Sequence, residues 1–484
     1  MAIYEHGIIS TEKATVVATP EVVDSAIGVI FGTAPVNLAS DPYNVTNKPI
    51  LAKSYDGIVS RLGYSTDFAN YTLCQSIFAR FKKNNYQPVV FVNVLDPTVH
   101  KEDVAETAFN IVSAVISIDV TGILLDTIVV KSEDGVTTYT EEEDYITSFA
   151  DAATVKISIP SDSSISGTTV KIAYTKIDPS KVTDLDIIGG KDVTTGKTTG
   201  ISCVSQVLGK TSYVPRHLLA PGWSQKPVIA AVLIAKAKLI NGLFNAIAIT
   251  DIDTTAVTSV ESLLQYKIGN GYDDEFNMVC YPKVKVSEGY EIFLSAMIDC
   301  ALASTDNTYS GPYASPSNKS IPITGMCKQG GEEIDYDIET ANIINSHGIM
   351  TVLSMNGWRS WGNEMGCYPG NTDVKDRYIV SRRVFNHRDV AFKLNFFANV
   401  DDPTNYRLIE TVVNGENKEL AALATQGLIA GGSISYNADD NPVEQIMEGK
   451  IIFTKILSPF TPAKAFETET SFDPTLNIQA LGGE

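Results

Sequence analysis

The sequence predicts an α/β core, a mixed sheet flanked by helices, with a small β domain inserted into it and an α+β C-terminal domain after it. Three observations carry this reading. Short continuous apolar runs closed by breakers, AIGVIF at 26–31 and PVVFVNVLDP at 88–97, have the composition of strands buried on both faces. Stretches of helical periodicity separate such runs. Between 98 and 182 the apolar period falls to two, which is the period of half-buried strands.

Taken in order, 26–31 is the first interior strand, ended by Gly32 and Pro35. Tyr71, Cys74, Ile77, Phe78 and Phe81 then recur at helical spacing behind a cap candidate at Thr66-Asp67, and the helix gives way at Asn84, Asn85 and Pro88 to the second strand. In the inserted segment Val155, Ile157 and Ile159 alternate with Lys156 and Ser158, and Val170, Ile172 and Tyr174 alternate with Lys171, Ala173 and Thr175. Glu133-Asp134-Gly135 is the predicted turn between strands at 127–130 and 136–139.

The α/β pattern then resumes. LLAPGW ends a strand, Ser224 is the predicted N-cap and Pro227 the first turn of an Ala-rich helix, and NAIAITDID is the next strand. Residues 277–284 form another, after which Ser287 is predicted to cap a helix with Tyr290, Phe293, Leu294, Met297, Ile298 and Ala301 on one face. The loop 309–324, rich in Pro, Ser and Gly, is long enough to expect a functional or interfacial role. In the last third, helices at 404–413 and 416–425 precede 427–436, the β-like KIIFTKIL and the alternating AKAFETETSF. Phe466, Thr468, Thr470 and Phe472 share one face of that final predicted strand, and a polar tail follows.

Composition narrows the function classes. At 484 residues, two to four domains are expected, and 44% hydrophobic with 19% charged residues describes a globular chain. No apolar run approaches the roughly 18 residues of a spanning helix. The opening MAIYEHGIISTEKAT lacks the basic and apolar regions of a signal peptide, so synthesis in a cytoplasm is expected. A formal net charge of −20 repels polyanions and argues against nucleic-acid binding. Cys74, Cys203, Cys280, Cys300, Cys327 and Cys367 form no C-x-x-C pair and have no histidine at ligand spacing, so buried reduced thiols are expected rather than a metal site.

Each catalytic motif fails in its spacing. IIGGKDVTTGKTTG at 187–200 suggests a phosphate-binding loop centred on Lys197, but the pattern's first glycine falls on Lys191, with Gly190 one place too early. A glycine-rich connection is the expected alternative. His387-Arg388-Asp389 resembles a kinase catalytic loop, yet the motif's asparagine comes one position late, at Asn395, and no D-F-G occurs. Gly222-Trp223-Ser224-Gln225-Lys226 lacks the second glycine of a nucleophile elbow. The run Glu141 to Asp144 is expected to be a solvated acidic face rather than a cation site.

Several phrases, in order, resemble the contractile tail sheath proteins of bacteriophages and phage-tail-like (R-type) bacteriocins. They are GTAPV at 32–36, YTLCQSI at 71–77, PVVFVNVLDP, LAPGWSQKP at 219–227, YASPSNKSI at 313–321, NIINSHGIMTV at 342–352, GWRSWGNE at 357–364, and ALATQGLIAGG through the Asn441-Pro442 step. Family members carry a phrase similar to 189–200 as well, and only the inserted segment lies outside the resemblance.

The resemblance implies a structural subunit without catalytic residues, cofactor or metal. Such a subunit polymerises helically around an inner tail tube in a metastable extended state and contracts without ATP to drive the tube through a cell envelope. The organisation it implies is an N-terminal arm at 1–19, a discontinuous core at 20–97 and 183–356, an outward-facing inserted domain at 98–182, a tube-facing domain at 357–472 and a C-terminal arm at 473–484. Ile3, Tyr4, Ile8 and Ile9 of the first arm, with Phe472, Leu476 and Ile478 of the second, are expected to thread into neighbouring subunits. Ile451, Phe453, Ile456, Phe466, Thr468 and Thr470 are the expected acceptor sheet.

Arg382, Arg383 and Arg388 are a basic cluster for which internal salt bridges and contact with an acidic tube are both open. The implied partners are further copies of the chain, the inner tube protein, and baseplate and terminator proteins, with no nucleic acid and no membrane insertion. The implied location is the tail of a virion or phage-tail-like particle, made in a bacterial cytoplasm and released on lysis. A nucleotide-binding enzyme using Lys197 and a non-contractile shell or adhesin are the alternatives.

Overall fold

In a computed structural model, which describes residues 25–151, 154–257 and 259–481, the first apolar run forms β1 (Gly28–Gly32), with all five residues buried. Ile3, Tyr4, Ile8 and Ile9 lie outside the described residues. β2 (Ile50–Ala52) and β3 (Val89–Asn93) follow, β3 parallel to β1 and β2 antiparallel to β3. The periodic segment between them is an α-helix, Leu73–Ile77, that widens into a π-helix, Phe78–Asn84. Apolar spacing reported a helix there but not its winding.

The inserted segment contains β4 (Lys101–Asn110), β5 (Val115–Asp119), β6 (Val129–Ser132), β7 (Ile146–Phe149), β8 (Thr154–Ser158) and β9 (Thr169–Ile177). They make two antiparallel sheets, ordered β4-β9-β6 and β5-β8-β7. Ile116, Ile118, Val155, Ile157, Val170 and Ile172 belong to a cluster distinct from the main core. That separation is what period-two strands with one buried face produce when two sheets share their apolar sides. Asp178 N–H donates to His100 O at 2.8 Å where the two ends of the segment meet.

The chain returns through β10 (His217–Leu219), β11 (Ile247–Asp251) and β12 (Asn277–Cys280). β13 (Lys283–Lys285), β14 (Glu291–Ile292), β15 (Gly325–Cys327) and β16 (Glu333–Ile334) form a separate antiparallel sheet. β17 (Ile349–Ser354) and β18 (Trp358–Trp361) complete an eight-stranded sheet ordered β18-β17-β12-β11-β10-β1-β3-β2. Its interior is parallel and both edge strands are antiparallel. Because β18 pairs with β17, the core sheet runs past the expected boundary at 356.

Two predicted caps are corrected. Helix Pro227–Lys238 has Pro227 in its first turn, but its N-cap is Lys226. Ser224 is instead fully buried, and its hydroxyl accepts from Asp251 N–H at 3.1 Å. Ser287 does not cap a helix either: Ile292 pairs with Val284 in a sheet, and the helix starts later, as Leu294–Tyr309. The run 277–284 is two strands because Pro282 has no N–H to give to a ladder.

The last third holds helices Ile379–Phe396 and Tyr406–Thr425, then β19 (Ile429–Tyr436) and β20 (Phe453–Pro459), paired antiparallel. The two helices predicted at 404–413 and 416–425 are one. Gly415 lies within it where a Cβ would come 3.1 Å from the Phe396 ring, so that glycine serves helix packing rather than ending the helix. The predicted strand through Phe466, Thr468, Thr470 and Phe472 is not formed; those residues are exposed and pair with no strand among the described residues. Beyond it lies a helix, Pro474–Ala480, capped by Asp473. The loop after Tyr309 is laced to β18: Asn318 N–H donates to Ser360 O at 2.6 Å, Ser360 N–H to Lys319 O at 2.9 Å, and Ile321 N–H to Trp358 O at 3.0 Å.

Candidate functional site

The hairpin β19-β20 is a two-stranded sheet, so each strand has a long edge with no strand beside it among the described residues. Helix Tyr406–Thr425 packs beneath it, where Leu420, Ile429 and Leu457 join Val380 and Val384 of the preceding helix in one apolar cluster. Asn417 reaches up from the middle of that helix. Its Oδ1 accepts from Ile434 N–H and its Nδ2 donates to Ile434 O, both at 2.9 Å. Asn441 does the same for Ile452, accepting at 2.6 Å and donating at 2.9 Å. Two side-chain amides thus stand in for a neighbouring backbone at one point on each strand's approach.

Beside β20, over helix Ile379–Phe396, runs a groove of about 500 Å³ with walls that include Phe385, Phe392, Ile434, Ile451, Phe453 and Leu457. Arg388 and Lys455 border it as well. Both are held from below by Glu416, which is completely buried and accepts from Arg388 at 2.9 Å and from Lys455 at 2.5 Å. Arg388 also pairs with Glu419 at 2.7 Å. Burial opposes the Arg388 charge, and these carboxylates outweigh it, so its pKa lies above the ordinary arginine value. The groove is therefore apolar and aromatic along its walls with its cations already neutralised.

Of the expected acceptor residues, Ile451 and Phe453 border this groove, whereas Ile456 points to the other face and is 65% exposed. Phe466, Phe472, Leu476 and Ile478 are exposed at 90%, 79%, 63% and 55%. Thr468 and Thr470 stand exposed with them, outside the hairpin. Phe385, Phe392, Asn417 and Glu416 were not foreseen. The signal available was Asn417 itself, since asparagine competes with helical backbone and a mid-helix position suggests a bond made elsewhere.

The basic cluster does not form a surface. Arg382, Arg383 and Arg388 are 8%, 5% and 5% exposed. Arg382 pairs with Asp376 and lies 4.8 Å from the Phe276 ring. Arg383 grips Asp306 through two nitrogens at 2.9 and 2.5 Å and also donates to Ser25 O. All three guanidiniums are paired within the chain, and Arg383 and Arg388 would have to leave the buried carboxylates of Asp306 and Glu416 to meet another surface.

Residues 190–199 close into a hairpin rather than a cradle. Asp192 N–H donates to Lys197 O and Thr199 N–H to Gly190 O, both at 2.9 Å, while Asp192 Oδ1 accepts from the N–H groups of Thr194 and Thr195. Backbone donors that a phosphate would need are thus spent inside the loop. At its base Gly189 and Gly200 have φ of +59° and +57°, and a Cβ on Gly189 would lie 2.0 Å from Thr199 O. The glycine-rich connection expected here takes the form of a closed hairpin. His387, Arg388 and Asp389 lie within a helix. All six cysteines are buried, and no group of three or more metal-ligating side chains is found among the described residues. No helix among them is long and apolar enough to cross a membrane.

A mixed core sheet, a separate inserted β unit and a two-stranded carboxy-terminal hairpin make up the described fold. No family model matches the chain. It is 27% identical over 499 aligned residues to the tail sheath protein of Burkholderia phage BcepMu, covering 98% of both chains. It is 24% identical over 304 residues to the major tail sheath protein of Serratia phage KSP20, covering 60% of this chain and 72% of that one. Its fold is similar to that of the sheath complex of the extracellular contractile injection system PVC in its contracted state, with a TM-score of 0.56 at 14% identity over 98% of this chain and 100% of the other. For the contracted helical sheath of the anti-feeding prophage the TM-score is 0.57 at 14% identity, over 96% and 99%. Over its full length the chain resembles the contractile tail sheath proteins.

Proposed function

We propose that this sheath subunit polymerises helically around an inner tail tube by exchanging strands with its neighbours, and contracts without ATP to drive the tube through a cell envelope. The observation that carries the reading is the edge of β20, unpaired among the described residues, beside an apolar groove of about 500 Å³. A bare two-stranded hairpin is marginal in water, and an added strand would bury Phe453 and the aromatic wall of the groove. The terminal arms, with Phe472, Leu476 and Ile478 at one end and Ile3, Tyr4, Ile8 and Ile9 at the other, are the proposed donors.

A donor and an acceptor at different places on one chain make a heterologous contact, which repeats without closing and yields a helical polymer. In this arrangement the inserted domain faces outward, and the carboxy-terminal domain faces the tube. Contraction draws on a difference of only a few kcal/mol per subunit, multiplied through cooperative neighbours and released at the baseplate. Tube, baseplate and terminator proteins are the proposed partners, and the tail of a virion or phage-tail-like particle, assembled in a bacterial cytoplasm and released on lysis, is the proposed location.

Deleting residues 1–15 tests the exchange. Electron microscopy of the full chain should give wide hollow tubes, and the deletion a folded, soluble subunit with none. Normal tubes from the truncated chain would overturn the reading.

A further inference from the structure

Downstream of β20 the chain leaves its own hairpin at Pro459 and crosses to the core. Lys464 Nζ there donates to Glu364 Oε1 at 2.5 Å, one hundred residues back along the sequence. Glu364 is a prepared acceptor: it is 4% exposed, it stands just after β18, and Arg377 already grips it at 2.8 and 3.0 Å. Lys464 also lies 5.8 Å from the Tyr378 ring. Residues 462–466 close one side of a cavity of about 720 Å³ whose other walls include Tyr309, Trp361 and Tyr368. Among the described residues, no other hydrogen bond joins 460–472 to the rest of the chain. Beyond the contact the side chains are exposed, beginning with Phe466 at 90%.

We propose that Lys464 is a mooring post that fixes the free length of the C-terminal arm. This rests on the arm exchange proposed above and specifies its geometry. With the post engaged, the link to a neighbour begins at 465 and reaches Phe472 after eight residues, a span of at most about 28 Å. Without it, the link begins at 460 and has thirteen residues. A short link of fixed length holds the arm near its acceptor at high effective concentration, which falls roughly as the −3/2 power of link length.

The test compares the same eight-residue Gly-Ser insertion at two places in the full chain, reading the critical concentration for polymerisation by sedimentation. After Phe466 the insertion lengthens the free link and should raise the critical concentration about threefold. After Thr461, upstream of the post, it should leave the value unchanged. Lys464→Met alone should raise it about twofold, and in that background the insertion after Thr461 should raise it further. Equal effects of the two insertions in the otherwise native chain, or an unchanged value for Lys464→Met, would overturn the post. If deletion of 473–484 abolishes polymer while the two insertions act alike, the post fails and the arm exchange stands; if that deletion leaves polymerisation intact, the post and the C-terminal half of the exchange both fail.

Discussion

Asn417 pairs with Ile434 as a strand would, accepting from its N–H and donating to its C=O, both at 2.9 Å. One side chain from a helix therefore completes the backbone of a sheet that has too few strands. Replacing Asn417 with Ala leaves two groups of a residue only 3% exposed without their partner. An unmet buried group costs about 1–3 kcal/mol. Denaturant unfolding of Asn417→Ala should show a loss in that range, with Asn417→Asp nearly as damaging because a carboxylate cannot donate to Ile434 O. A loss below about 0.5 kcal/mol would mean that water replaces the amide at no penalty.

The hairpin at 190–199 separates scaffold from chemistry. Gly189→Ala places a Cβ against Thr199 O in a left-handed backbone conformation and should destabilise the subunit by more than about 2 kcal/mol. Lys197→Ala, at an exposed position on the loop, should leave both unfolding and assembly nearly unchanged. Thermal unfolding of the two variants side by side checks the contrast, and a damaging Lys197→Ala would reopen a ligand role for this loop.

Asp251 sets a pH dependence. Burial pushes its carboxyl up to about 6 against the pull of Ser295 and Ser224, which donate to it. An acid whose folded pKa exceeds its unfolded value binds more protons when folded, so its contribution is full below pH 3.8 and is lost as pH rises through about 6. In Asp251→Asn that fall between pH 4 and 6 should disappear from the stability profile measured by urea unfolding. An unaltered profile would show that the serines keep the carboxylate charged throughout.

The core was legible because parallel strands buried on both faces write their position as unbroken apolar runs, as β1 and β3 do. The start of helix Leu294–Tyr309 was not. Tyr290, Phe293 and Leu294 fit a helical stripe, while Ile292 fits a strand, and four residues cannot separate the two periods. Phe466 to Phe472 has the alternation of a strand but no ladder among the described residues, since alternation specifies a face and never a partner. The arginines were read as a cluster because they adjoin in sequence. Their carboxylates lie 77 residues away for Arg383 and 28 for Arg388, a distance over which sequence carries no pairing signal. Much of the candidate site depends on such long-range company, so of its groove the β-like run from Ile451 to Leu457 was anticipated as an acceptor, and Arg388 only in another role.

The loop laced onto β18 has a bearing on polymer architecture. By giving its backbone to Trp358 and Ser360, it denies the core sheet a recruiting edge on that flank. On the proposed exchange, a subunit sealed there and open at its carboxy-terminal hairpin would have directional valence, with neighbours added through one kind of junction. On the proposed mechanism the core then rides through contraction as an inert load, while every change of partner geometry is confined to the arms and the hairpin that receives them.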